Sequence, residues 1–213
     1  MSLIEDEIET LKVILERQGY DSGDGEYEPS EVKSLGQAFD LPQAYVDLLI
    51  ALEPSGTEIR YGDRQSLIFF PFEELDEAQE AETLIYNGFV IGSINDQPLT
   101  LSLEDLDESK EDCPIYVCEE EESTQMASSL TQFIQILRIT LEMLHSLEDY
   151  DDMSRWKEEQ EENQGSYDND FEEFSDEPSS REQLLEDYYQ EVDDIDPDCI
   201  DAWRVSEAEM VVA

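Results

Sequence analysis

Positively charged side chains are scarce in this chain, which holds 11 Lys and Arg against 58 Asp and Glu, a formal net charge of -47 at pH 7. So negative a field repels the phosphate backbone of nucleic acids and anionic membrane surfaces. We therefore expect neither nucleic acid nor a membrane as a partner, and a charged partner should be a basic protein. The alternative is that the charge only keeps the protein in solution.

Residues that carry most enzyme and metal chemistry are also scarce. The chain has one histidine, His145, and three cysteines, Cys113, Cys118 and Cys199. Their spacing matches no zinc site, and the sequence contains no Walker loop, dinucleotide-binding glycine motif or nucleophile elbow. We therefore predict that the protein is not an enzyme and has no catalytic residue, no cofactor and no metal site. An enzyme stays an alternative only if the fold places His145 beside a cysteine or a carboxylate in a cleft.

Two further patterns have a plain interpretation. His145 is predicted near the end of an amphipathic helix, where a cation interacts favourably with the helix dipole. Residues 21–26 resemble a calcium-binding loop, but they lack an oxygen ligand at the third position and the glutamate at the twelfth, where Val32 stands. Neither pattern predicts a specific site.

Long apolar runs are missing, since none approaches the roughly 18 residues that a membrane span needs. Residues 1–6 carry no basic side chain, which argues against a secretory signal peptide. Three cysteines form no disulfide framework. The expectation is a reduced, cytoplasmic protein.

Apolar periodicity predicts an α+β fold, with a mostly antiparallel sheet and helices packed on it. Helices are predicted over residues 3–19, 30–39, 42–53, 72–82 and 128–147. Strands are predicted over residues 57–61, 66–70, 84–86, 89–94, 99–103 and 113–118, the last of these being the final strand. Turns are expected at Asn87-Gly88 and from Asn95 to Pro98. The helix over 128–147 is apolar on so wide a face that the sheet or another chain must cover it.

The composition changes after Leu147, so we divide the chain into a domain, residues 1–147, and an acidic extension, residues 148–213. Residues 148–180 are mostly acidic, Ser, Asn, Gly and Tyr residues with few aliphatic side chains, which predicts a disordered or loosely attached segment. A helix is predicted from about Ser180 to Val192, and apolar side chains beyond it, such as Trp203, should allow the end of the chain to dock. We thus expect the extension to be partly ordered.

Several short patterns follow one another in a fixed order. They are Leu41-Pro42-Gln43-Ala44-Tyr45, Pro54-Ser55-Gly56, Phe70-Pro71-Phe72, Phe89-Val90-Ile91-Gly92-Ser93, Pro114-Ile115-Tyr116-Val117 and the apolar helix over 130–147. Together they resemble the SUKH superfamily, the Smi/Knr-like domain of bacterial toxin-immunity proteins and yeast cell-wall regulators. The resemblance covers about residues 28–147 and implies a sheet surrounded by helices.

The same resemblance implies a noncatalytic protein-binding function. The leading hypothesis is an immunity protein that neutralises a toxin, and the charge indicates that this toxin is basic, as nuclease toxins usually are. The alternative is a regulatory adaptor or scaffold of the Smi/Knr type, with the acidic extension as its docking segment. The identity of the partner and the oligomeric state stay open.

Acidic clusters that could contact a basic protein lie at residues 73–82, 104–112 and 119–122. The predicted partner-binding residues are Glu73, Glu74, Asp76, Glu77, Glu80, Glu104, Asp105, Asp107 and Glu108, with Tyr61 and Phe72 as aromatic contacts. Large aromatic side chains often dominate the energy of an interface. The competing interpretation is that each cluster is only a solvated, charged face and that the aromatic rings belong to the core.

Overall fold

The computed structural model describes residues 3–17, 19–20, 27–56, 58–61, 65–80, 88–106, 111–118, 122–163 and 180–204. Their helices are α1 (Leu3–Arg17), α2 (Pro29–Ala38), α3 (Gln43–Leu52), α4 (Leu75–Glu80), α5 (Leu130–Asn163) and α6 (Arg181–Ile195). Their strands are β1 (Glu58–Arg60), β2 (Ser66–Phe69), β3 (Gly88–Ile94), β4 (Gln97–Ser102), β5 (Ile115–Cys118) and β6 (Ser123–Ala127). Three short 3-10 turns, called here the first, second and third turn, are Phe72–Glu74, Leu103–Asp105 and Ile200–Trp203. The predicted α+β class is confirmed.

The six strands form one sheet in the order of the chain, and every neighbouring pair is antiparallel. Asn95 and Asp96 link β3 to β4 with φ values of 51° and 65°, the left-handed backbone that a tight two-residue hairpin uses. Gly92 lies where β2 passes closest to β3, because a Cβ there would be 2.0 Å from the carbonyl oxygen of Ile68. The glycine in the Ile91-Gly92-Ser93 pattern is thus required by the approach of two strands.

Helix α5 supplies the centre of the hydrophobic core. Its first turns bury Leu130, Phe133, Ile134 and Leu137 completely. Helices α1 and α6 contact α5, and the ring of Phe133 lies 6.3 Å from the ring of Phe69 on β2. The wide apolar face is therefore covered by the sheet and by helices of the same chain. None of the helices described here is both long and apolar enough to cross a membrane.

The predicted end of this helix at Leu147 is wrong, because α5 continues to Asn163. Residues 148–163 are helical, so the expectation of disorder is wrong for them, whereas their loose attachment stays a prediction. Residues 148–163 contain neither Gly nor Pro and are rich in Glu, a good helix former. His145 is therefore an interior residue of α5, and its predicted interaction with the end of a helix dipole is wrong as well.

Strand β6 was not predicted, because Ser123, Thr124 and Gln125 are polar and the apolar alternation is absent. In the structure only Met126 and Ala127 of this edge strand are buried. The predicted strand over residues 84–86 and Asn87 of the predicted turn lie outside the described residues, as does the calcium-like loop over 21–26.

Helix α6 runs antiparallel along α5 and matches the helix predicted after residue 180. At its start, Nη1 of Arg181 lies 3.7 Å from Oδ2 of Asp151. At its end, Nε2 of Gln132 donates a 2.7 Å hydrogen bond to the carbonyl oxygen of Ile195. Tyr188 and Val192 are buried in the same core as α5. The predicted division at Leu147 stays a prediction, although this position falls inside α5.

The third turn continues this packing through Trp203. Its indole Nε1 donates a 2.7 Å hydrogen bond to the carbonyl oxygen of Met126 on β6. Its ring lies 5.4 Å from the ring of Phe133 and 6.1 Å from the ring of Tyr61, which follows β1. Because β1 and β6 are the two edge strands, one side chain contacts both edges of a sheet that curves around α5. The expectation that the end of the chain docks is confirmed for residues 180–204.

Candidate partner-binding surface

Helix α4, which carries the first acidic cluster, is fixed to the sheet by Gln79. The last pairing of β2 with β3 joins Phe69 to Gly92, so β2 no longer accompanies β3 at Val90. There the side-chain amide of Gln79 takes the place of a strand. Its Oε1 accepts a hydrogen bond from the backbone N–H of Val90 at 3.0 Å, and its Nε2 donates to the carbonyl oxygen of Val90 at 2.9 Å. Leu75, at the start of α4, is fully buried.

The second acidic cluster begins on the turn that follows β4. Ser102, the last residue of β4, pairs with Gly88, the first residue of β3. Its Oγ donates a 2.7 Å hydrogen bond to Oδ2 of Asp105, which holds the turn beside the strand. Both α4 and this second turn contact β3. The structure therefore brings the two clusters to the end of the sheet where β3 begins.

We call the resulting patch the acidic surface and define it by Glu73, Glu74, Asp76, Glu77, Glu104 and Asp105, all of which are exposed. Among the described residues, Glu74, Asp76 and Glu77 form no ion pair. Glu80 ends α4, and its side chain is not described. Asp107 and Glu108 lie outside the described residues, and so do residues 119–121 of the third cluster.

The two predicted aromatic contacts have different positions. Tyr61 is 4% exposed and packs on Trp203, so its ring belongs to the core and does not reach the surface. Phe72 is half-buried and stacks on Tyr27 with 4.9 Å between ring centroids. Burial raises the pKa of Tyr27 to about 12, and the charges of Glu53 and Glu73 act in the same direction. Of the two rings, only that of Phe72 adjoins the acidic surface.

Asp112, which belongs to the acidic loop over 104–112, has a structural role that the sequence did not reveal. Its carboxylate accepts hydrogen bonds from the backbone N–H groups of Cys113, Leu130 and Thr131 at 2.8, 2.7 and 3.1 Å. A carboxylate at a helix N-terminus satisfies free N–H groups and interacts favourably with the helix dipole. Asp112 therefore holds the start of α5 in place.

Asp196 is a second carboxylate at the start of α5, and it is 1% exposed. It accepts hydrogen bonds from the backbone N–H of Ser128 at 2.6 Å and from its Oγ at 3.1 Å. The pairing joins residues 68 positions apart in sequence, which no local pattern could predict. A local signal did exist for the helix start, because Oγ of Ser129 accepts from the backbone N–H of Gln132, an N-cap in a Ser-x-x-Gln sequence.

The three cysteines are free and buried. Burial raises the pKa of the Cys113 thiol to about 12, with the charge of Asp112 adding to the effect. Burial also raises the pKa of the Cys199 thiol to about 11, and the neighbouring Asp196 contributes in the same direction. The thiolate is the reactive form of cysteine, so both thiols are unreactive near neutral pH.

His145 lies on the surface of α5, with Nε2 3.8 Å from Oδ2 of Asp149 one turn later. The side chains of His145 and Asp149 are 63% and 72% exposed, so the pair lies in solvent and not in a cleft. Within the described ranges, no group of three or more His, Cys, Asp or Glu side chains is arranged to hold a metal ion.

Comparisons with known proteins do not identify the chain. No protein-family model matches it, and neither the curated proteins nor the solved structures include a significant match. The resemblance to the SUKH superfamily therefore depends on the ordered sequence patterns alone.

Proposed function

We propose that this chain is a noncatalytic binding protein of the SUKH type, an immunity protein that neutralises a basic toxin by covering its active surface. A nuclease is the toxin class that fits best, because a surface that binds an anionic substrate is itself positive. The observation that carries the proposal is the acidic surface, where carboxylates of α4 and of the first and second turns gather at one end of the sheet.

Electrostatic steering is the physical basis of this recognition. A patch of one sign raises the local concentration of an oppositely charged partner and accelerates association. At physiological ionic strength, charges act over about 8 Å, so the long-range part of the attraction weakens with added salt. The half-buried ring of Phe72, beside Glu73, supplies apolar contact once the partner has docked.

The packing of the sequence patterns supports the SUKH part of the proposal. Pro42 precedes α3 as its N-cap with φ of -62°, and Tyr45 of the same pattern is buried. Gly92 permits the close approach of β2 and β3. These residues thus have structural reasons to recur in a family with this sheet.

The runner-up is an adaptor that docks through its acidic extension, but part of this extension is packed in the core. Residues 180–204 are packed on α5 and β6, and Tyr188 and Trp203 are part of the core. The exposed face of α6 still leaves room for a docking contact, and residues 164–179 and 205–213 are outside the described ranges. A cytoplasmic location is part of the leading proposal, since three free, buried cysteines suit a reducing compartment.

Affinity capture from native lysate tests the proposal. The baits are the full-length protein, the variant Glu74→Lys/Glu77→Lys on the acidic surface, and the variant Asp187→Lys/Glu191→Lys, which makes the same charge change on exposed positions of α6. Bound proteins are eluted by rising salt and identified by mass spectrometry. The proposal predicts one basic partner that the wild-type protein and the α6 variant retain and the acidic-surface variant loses. Several partners, or equal retention by all three baits, would contradict it.

A further inference from the structure

A groove lies between α6 and the third turn. It measures about 590 Å³ and is lined by Glu182, Leu185, Glu186, Tyr189, Gln190 and Asp193 of α6 and by Ile200 of the third turn. The α6 residues recur every three or four positions, so they share one face of the helix. The opposite face, with Tyr188 and Val192, is buried against the core. Helix α6 therefore packs with one side and presents a structured groove with the other.

The groove combines an apolar floor with an acidic rim. Leu185, Tyr189 and Ile200 are half-buried, so part of each side chain meets solvent. Glu182 and Glu186 are exposed on the same face, as is Asp193, and in the described part of the chain none of the three forms an ion pair. From Glu182 to Asp193 the face extends about 16 Å along the axis, or three helical turns. Its occupant should therefore have an apolar stripe of similar length, flanked by positive charge.

Charge argues against occupants from this protein itself. Residues 164–179 contain six acidic residues and no basic one, and residues 205–213 contain two acidic residues and no basic one. A second copy of the chain carries the same net charge of -47. Each of these occupants would place carboxylates beside carboxylates, which costs free energy.

We propose that this groove binds a basic amphipathic helix of another protein. Apolar side chains at positions i, i+3, i+4 and i+7 of that helix would contact Leu185, Tyr189 and Ile200, as in other helix-in-groove complexes. Lys or Arg beside the stripe would face Glu182, Glu186 and Asp193. This site is separate from the acidic surface of α4, so it gives the protein a second contact for a basic partner.

The test uses the full-length protein and a fluorescently labelled synthetic helix of Leu and Lys, with Leu at i, i+3, i+4 and i+7. Its control is a scrambled peptide of the same composition and charge. Affinities are measured by fluorescence anisotropy at physiological salt for the wild-type protein and three variants. Glu186→Lys/Asp193→Lys alters the groove, Asp187→Lys/Glu191→Lys alters the same helix outside the groove, and Glu74→Lys/Glu77→Lys alters the acidic surface. All these positions are exposed, and circular dichroism verifies the fold of each variant.

The groove variant should bind the amphipathic peptide about tenfold more weakly, because two favourable charge contacts become repulsive. The two other variants should change its affinity less than about twofold, and the scrambled peptide should bind more weakly to the wild-type protein. Equal weakening by all three variants, equal binding of the scrambled peptide, or no binding would overturn the proposal. Because the partner of the acidic surface takes no part in this assay, failure here leaves the proposed immunity function to its own test.

Discussion

Replacing Trp203 by alanine tests whether residues 180–204 are an integral part of the domain. The side chain is 3% exposed and contacts Phe133, Tyr61 and the carbonyl oxygen of Met126. A buried Trp→Ala change costs about 3–5 kcal/mol through lost burial and the cavity that remains, and the lost hydrogen bond adds about 1 kcal/mol. We expect Trp203→Ala to lower the free energy of unfolding by about 4–6 kcal/mol.

Urea unfolding followed by circular dichroism measures this loss. With a slope of about 2 kcal/mol per molar urea, the midpoint should fall by about 2–3 M. Two variants serve as controls. Trp203→Phe keeps an aromatic ring but loses the bond to Met126 and should cost about 1–2 kcal/mol. Arg204→Ala, at an exposed neighbouring position, should change stability by less than about 0.5 kcal/mol. A loss below about 1 kcal/mol for Trp203→Ala would refute the packing described for this segment.

Three further predictions concern the core. The Tyr45 hydroxyl is buried without a hydrogen-bond partner among the described residues, so Tyr45→Phe should leave the thermal midpoint unchanged or raise it, and a clear fall would contradict this. Gly92→Ala should cost about 3 kcal/mol in urea unfolding, since its Cβ would meet the Ile68 carbonyl oxygen at 2.0 Å; a wild-type midpoint would show that the strands can separate. The pKa values of Cys113 and Cys199 rise from 9.0 to about 12 and about 11 on folding. The two buried thiols therefore contribute fully to the free energy of unfolding below pH 9.0, and this contribution decreases as the pH rises above that value. The urea midpoint should therefore fall between pH 8 and 10, and less in a variant with alanine at both positions; identical falls in the two proteins would contradict the assignment.

Much of the fold is encoded in local patterns. The apolar periodicity of α1, α3 and α6 and the Asn95-Asp96 turn were recognisable because each depends on neighbours in sequence. Strand β6 was not, because its polar residues form an edge that only the pairing with β5 and the contact to Trp203 define. The length of α5 is not evident from the sequence because residues 148–163 are mostly charged and polar.

The candidate site likewise combines features that local sequence patterns predict with features that only contacts between distant residues define. Sequence located the carboxylates of α4 and of the second turn, but their common position depends on the bonds between Gln79 and Val90 and on the pairing of Ser102 with Gly88. The burial of Tyr61 and the hydrogen bonds of Asp112 to the start of α5 likewise depend on contacts with distant residues. Charge composition can suggest a kind of partner, whereas the surface that meets it is a property of the folded chain.

The central claim is that the protein neutralises a basic toxin by binding it. The most direct measurement expresses the captured basic partner in cells, alone and together with the wild-type protein or the Glu74→Lys/Glu77→Lys variant, and follows growth. Titration of the purified partner with this protein then gives the molar ratio of the two proteins at which the partner is fully inhibited. The account predicts growth arrest by the partner alone, rescue by the wild-type protein at a one-to-one ratio, and little rescue by the variant. A partner that does not arrest growth, rescue that is equal for both proteins, or inactivation at far below one-to-one, as an enzyme would give, would contradict it.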